Sequence, residues 1–206
     1  MGDKIGNYNL PYLYFLCLFS YIGINDLYLI KALSIIFDVI LAWGGMQLVG
    51  LYTNSTAKRL SAFFLVLYWP TVILNGAYWG QCDSIYVAFA VLSIYLALKN
   101  RGAAAMVCIA VSFAFKLQAV FVMPIFVVLL IGRRVKLWHF LLFPVTYVVL
   151  MLPAVLAGYP LLDTITLYFD QMGTVGSGLN YNSPSIYAFA NGVANENLAS
   201  ALGILA

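Results

Sequence analysis

The sequence predicts an all-α fold, a polytopic transmembrane helical bundle of about six or seven membrane segments that include short hairpin arms. Three observations lead there. First, 64% of the 206 residues are hydrophobic and 8% are charged, against about 45–50% and about 25% in a soluble domain. Ten basic and seven acidic side chains cannot cover a water-soluble particle of this size. Second, the apolar residues come in long runs without the alternation of a membrane barrel. Third, the basic residues gather in short loops between those runs, as they do on the cytoplasmic side of membrane proteins. The net charge of +3 therefore reports orientation; with no basic patch on a polar background, it does not point to nucleic acid.

In chain order, residues 10–24 are apolar for too short a stretch to cross comfortably, and their tyrosines favour an interface. If they cross, Lys4 is cytoplasmic; if they lie on the surface, Met1 starts outside the membrane. Spans follow over 28–50, 60–76, 84–98, 102–131 and 137–157. Lys58 and Arg59, Lys99 and Arg101, and Arg133, Arg134 and Lys136 occupy three loops that the positive-inside rule makes cytoplasmic. The stretch 102–131 leaves one such loop and arrives at another, so it must be a hairpin turning near Phe115 and Lys116. Each arm of about 14 residues rises about 21 Å, short of a hydrocarbon core of about 30 Å, which implies a shielded or hollowed membrane region. The loops at 77–83, 114–118 and 158–184 then face the outer side, with Asp83, Asp163, Asp170 and Lys116. Cys17, Cys82 and Cys108 are odd in number and widely spaced, and read as packing residues. The whole reads as one membrane domain, residues 1–206: an outer segment 1–27, helices 28–157, an outer loop 158–184 and the start of a further segment 185–206.

Within this frame the stretch from Asn75 to Asp83, with Tyr78, Trp79 and Gln81, fits a site for a hydroxyl-rich or phosphorylated group. Aromatic faces stack on sugar rings, and the carboxylate and amides exchange hydrogen bonds with hydroxyls. The alternative is an interfacial aromatic belt with Asp83 serving as a helix cap. Lys116 stands in FAFKLQAVF, where an ionisable group is costly and needs a partner or water. With Gln118 beside it, it suits an anionic phosphate; otherwise it is a lysine snorkelling at a hairpin tip. Lys31 and Asp38 are two helical turns apart on nearly one face, so each needs a partner on another helix or lines a cavity. Gln171, Asn182 and the glycines between them form a loop that either closes over a substrate or merely connects. His139 at a span start reads as interfacial, and Asn54-Ser55-Thr56, a glycosylation sequon, falls in a cytoplasmic loop. The sequence holds no zinc-spaced cluster, Gly-rich phosphate loop or nucleophile elbow.

Four stretches in this order carry a resemblance: Asn7 to Tyr14 (NYNLPYLY), Tyr78 to Asp83 (YWGQCD), Phe115 to Gln118 (FKLQ) with Pro124, and Gln171 with Asn180 to Pro184 (NYNSP). Together they resemble the bacterial multi-span membrane glycosyltransferases of the GT-C type, relatives of the polyprenyl-phosphate-sugar-dependent mannosyl- and glucosyltransferases. The resemblance implies an outward-facing cavity in the bacterial inner membrane. There a sugar would pass from a lipid-linked donor to a glycan, lipid or protein acceptor, without nucleic acid. It implies donor-phosphate contact by Lys116, sugar or acceptor contacts by Asp83, Gln81 and Trp79, and further contacts by Gln118, Gln171 and Asn182. The family's catalytic base is an acidic residue in a first outer loop ahead of the segment matched by Asn7 to Tyr14. Asp3 does not sit in that context, so the catalytic residue stays unknown, and the chain is expected to be a fragment of a longer enzyme with 10–24 as an outer interfacial or re-entrant piece. No cofactor is assigned; a divalent metal in the full-length enzyme stays open, since Asp83 alone cannot hold one. The competing expectations are a transporter or flippase subunit, for which Lys31, Asp38 and Lys116 would line a path, and an inactive fragment.

Overall fold

The computed structural model describes residues 9–172, and the regular structure among them is all helical, with no strand. Residues up to Ile165 form one compact unit, and a second begins at Thr166. The helices are α1 Leu10–Phe19, α2 Asp26–Val49, α3 Thr56–Leu67, α4 Pro70–Ile73, α5 Asp83–Leu98, α6 Gly102–Phe115, α7 Met123–Ile131, α8 Leu142–Leu156 and α9 Leu161–Met172. A π-helical turn, Leu74–Tyr78, continues α4, and tight 3-10 turns at Leu117–Val122 and Leu137–Leu141 lead into α7 and α8.

Helix starts follow the capping chemistry in the sequence. The Asn25 side chain accepts the Leu27 N–H at 2.9 Å, and Asp26 complements the positive end of α2. Ser55 accepts the Lys58 N–H at 3.4 Å ahead of α3. Two helices, α2 and the 20-residue run Leu137–Leu156, are long and apolar enough to cross a membrane. The pair Thr56–Leu67 and Pro70–Tyr78 makes a third if counted as one bent span. The remaining apolar helices are shorter: α5, with 16 residues, rises about 24 Å. Large apolar side chains face outward along them, among them Leu65, Val128 and Ile131 at 64%, 67% and 78% exposure, a surface that a soluble monomer seldom presents.

The expected segment 60–76 is not one straight helix. It bends by 46° at Tyr68–Trp69, because Pro70 lacks an N–H and pushes the residue before it out of the helical region, where Trp69 sits extended at ψ 129°. A second departure lies in the stretch 158–184 read as a loop, of which 161–172 form α9. Leu161, Ile165 and Tyr168 recur at helical spacing after Pro160.

The hairpin expectation for 102–131 matches the structure. Arg134 at its far end donates to the Asn100 side chain at 3.0 Å, and the Arg134 carbonyl lies 3.1 Å from where a Cβ on Gly102 would stand. Between the arms Ala105, Met106, Ile109, Phe126 and Leu129 form a buried cluster with Ala90, Ala97 and Val135. Alanines on α5 and α6 let these helices approach closely. The turn comes at Lys116, whose backbone is extended at φ −154° and ψ 131°. Gly102 is required at the other end, since a Cβ there would come within 2.5 Å of the His139 ring.

Helices α2 and α5 run side by side in the same direction. Ser34 Oγ donates to the Gln81 carbonyl at 2.9 Å, Asp38 meets Ser84, and Gly44 faces Val91. The N-termini of α2 and α5 and the Lys116 turn therefore share one end of the bundle, and Lys99, Arg101, Arg133, Arg134 and Lys136 share the opposite end. Helix α1 packs its first turns at the Lys116 end. Asn9 Nδ2 donates to the Ala114 carbonyl at 2.6 Å. The Tyr14 hydroxyl donates to the Leu150 carbonyl at 3.1 Å and accepts the Ala154 N–H at 3.3 Å. Those two groups are one rung of the α8 ladder beside Pro153, so the phenol bridges the helix where proline weakens it.

Candidate functional site

Asp83 opens α5, where the helix dipole favours a carboxylate. Lys116 reaches it from the hairpin turn and forms an ion pair with Oδ1. Asn75, on the π-helical turn, donates to Oδ2 at 2.9 Å. Both carboxylate oxygens are thus engaged, and the pair is neither buried nor free in water, with side-chain exposures of 32% for Asp83 and 28% for Lys116. The Lys116 ammonium also stands 5.7 Å from the centre of the Tyr86 ring, within reach of a cation–π attraction. Burial pushes the adjacent Cys82 thiol up to about 11, which leaves it protonated and a poor nucleophile.

The floor under this pair is apolar: Tyr12, Leu33, Cys82, Ile85 and Phe115 are buried together, with Phe89 and Phe115 stacked at 6.0 Å. A second carboxylate lies deeper. Asp38 of α2 is 4% exposed, accepts a hydrogen bond from Ser84 Oγ, and faces Gly76 so closely that a Cβ there would overlap it. This answers the expectation that Asp38 finds its partner on another helix. Lys31 is half-buried, with its stem near Gly80, and no ion pair to it is found among the described residues.

Between the bent segment and helices α2 and α5 opens a pocket of about 490 Å³. Leu41, Leu74 and Val87 supply apolar wall; Asn75, Asp83 and Ser84 supply the polar one, and Trp79, 73% exposed, stands at it. Of the residues singled out in the sequence, Asp83 and Lys116 are brought into contact, and Trp79 shares the pocket with Asp83. Gln81 is bound through its backbone carbonyl, and Gln118 is exposed one residue beyond Leu117. Gln171 lies in the last turn of α9, where the side chains are not described, and Asn182 lies outside the described residues. Sequence reasoning placed Asn75 in the candidate stretch without assigning it a contact, and did not select Ser84 and Tyr86 as site residues. The signal for Asn75 was an amide eight positions before Asp83 with a glycine between, which only the π-helical turn folds back onto the carboxylate. No metal-binding group of three or more His, Cys, Asp or Glu side chains occurs among the described residues.

Fold and site together define, over the described residues, an all-helical bundle with membrane-crossing character and a charge pair beside a mixed apolar and polar pocket at one end. No family model, curated protein or solved structure matches the chain.

Proposed function

We propose that this chain is the membrane part of a glycosyltransferase of the GT-C type, which takes a sugar from a polyprenyl-phosphate donor and transfers it to an acceptor hydroxyl on the extracytoplasmic face of the bacterial inner membrane. The observation that carries the reading is the Asp83–Lys116 pair at the end of the bundle remote from the basic loops, next to a pocket wide enough for a sugar ring. In the transfer, the acceptor oxygen bonds to the anomeric carbon as the bond from that carbon to the donor phosphate breaks. A carboxylate takes the acceptor proton, and the Lys116 ammonium offsets the charge gathering on the departing phosphate. Asp83 is poorly placed as that base, because Lys116 and Asn75 occupy its two oxygens. Its part is to hold the ammonium in position until phosphate replaces it.

The test is transfer from a lipid-linked sugar in membranes that carry the intact enzyme. Lys116→Ala is expected to abolish donor use with the protein still inserted; unchanged transfer would remove Lys116 from the mechanism. One observation favours a second reading as a transport subunit, the bent span Thr56–Tyr78 beside the buried Asp38. Proteoliposomes separate the two, since solute accumulation without consumption of the lipid-linked sugar supports transport.

A further inference from the structure

The two oxygens of Asp83 face different partners, and that asymmetry sorts ligands. Lys116 holds Oδ1, whereas Asn75, which lines the pocket, holds Oδ2. A group entering the pocket therefore meets a carboxylate and an amide before it meets the ammonium. An anion placed there would sit against the Asp83 carboxylate, and like charges repel. An uncharged polyol gains instead, because its hydroxyls donate to the carboxylate and the Asn75 amide and its ring lies against the Trp79 face. The apolar wall of Leu41, Leu74 and Val87 continues into helices with exposed apolar surface, so the ligand's other end is hydrocarbon.

We infer that this pocket binds an uncharged, hydroxyl-rich headgroup carried on a hydrocarbon chain, and that the anionic phosphate is held on the other side of Asp83, at Lys116 and Tyr86. This deepens the transferase reading and rests on it for one assignment, that the pocket is the acceptor side; the binding itself is measured apart from transfer.

The experiment is calorimetric titration of the full chain in lipid nanodiscs, with empty discs as background, using n-octyl glucoside, n-octyl phosphate and 1-octanol below their aggregation limits. Octyl glucoside is expected to bind roughly tenfold more tightly than 1-octanol, about 1.4 kcal/mol, and octyl phosphate is expected not to displace it. Trp79→Ala, at an exposed position, should weaken the glucoside and leave the phosphate unchanged. Asp83→Asn, which removes the repulsion and frees Lys116, should raise octyl phosphate binding while glucoside binding falls. Equal binding of glucoside and octanol would overturn the inference, as would octyl phosphate competing with the glucoside at higher affinity, or indifference of the glucoside to Trp79→Ala. Glucoside binding as described without sugar transfer by the intact enzyme in membranes would instead overturn the transferase reading alone.

Discussion

The two ends of the bundle use charge in opposite ways. At the end holding the basic loops, Lys99, Arg101, Arg133, Arg134 and Lys136 are exposed, and Arg134 spends its hydrogen bonds on the Leu98 carbonyl and the Asn100 amide, not on an acid. The chain closes there by tight packing, with His139 against Gly102 and the Lys136 N–H donating to His139 Nδ1 at 3.0 Å. At the other end Asp83 and Lys116 are partly shielded and paired, and the helices around them are interrupted at Trp69 and Lys116. Solvated positive charge sets orientation at little structural cost. Shielded charge in an apolar setting needs partners and persists where it has work to do.

The contrast can be broken most sharply by exchanging the residue removed. Lys116→Ala is expected to lower transfer from the lipid-linked sugar by about 10²-fold or more, the usual loss when one preorganised charge stabiliser is removed. Arg134→Ala at the opposite end should leave transfer near the parent level, as measured in the same membranes. A smaller effect is expected on stability. Gly102→Val drives a side chain into His139, and Gly76→Val drives one into Asp38. Each should cost about 1–3 kcal/mol by overpacking, read from thermal unfolding in detergent, and only Gly76→Val should also disturb ligand binding at the pocket. Next, a double-mutant cycle on Lys116→Ala and Asp83→Ala should give a coupling of about 1 kcal/mol, held down because both side chains are about one third exposed. The smallest change is Tyr14→Phe. It removes the hydroxyl bridging Leu150 and Ala154 and should lower stability by about 1 kcal/mol, without altering transfer.

Much of the architecture was legible because membrane helices obey few rules. The basic residues alone required 102–131 to turn back, and the structure turns it at Lys116. The pairing of Asp38 with another helix followed from the cost of an isolated charge, although the partner, Ser84, did not. What stayed hidden depends on backbone irregularity. Trp69-Pro70 was visible as a dipeptide, but its 46° bend and the π-helical turn after it decide where Asn75 and Trp79 stand. Lys116 and Asp83 each stood out in the sequence, yet their separation of 33 residues concealed that they meet. Helix α9 was hidden because its 12 residues are too few to cross a membrane and carry Asp163 and Asp170 among the apolar positions.

The central claim is that the paired-charge end and the basic-loop end lie on opposite sides of the membrane, with the working site outside. Its most direct measurement is labelling of Gln118→Cys and Lys136→Cys, both exposed positions, in a background with Cys17, Cys82 and Cys108 replaced by serine. A membrane-impermeant maleimide is added to intact cells and again after permeabilisation. The account predicts that Gln118→Cys reacts in intact cells and Lys136→Cys only after permeabilisation. Reaction of both from the same side, or the reverse order, would contradict it.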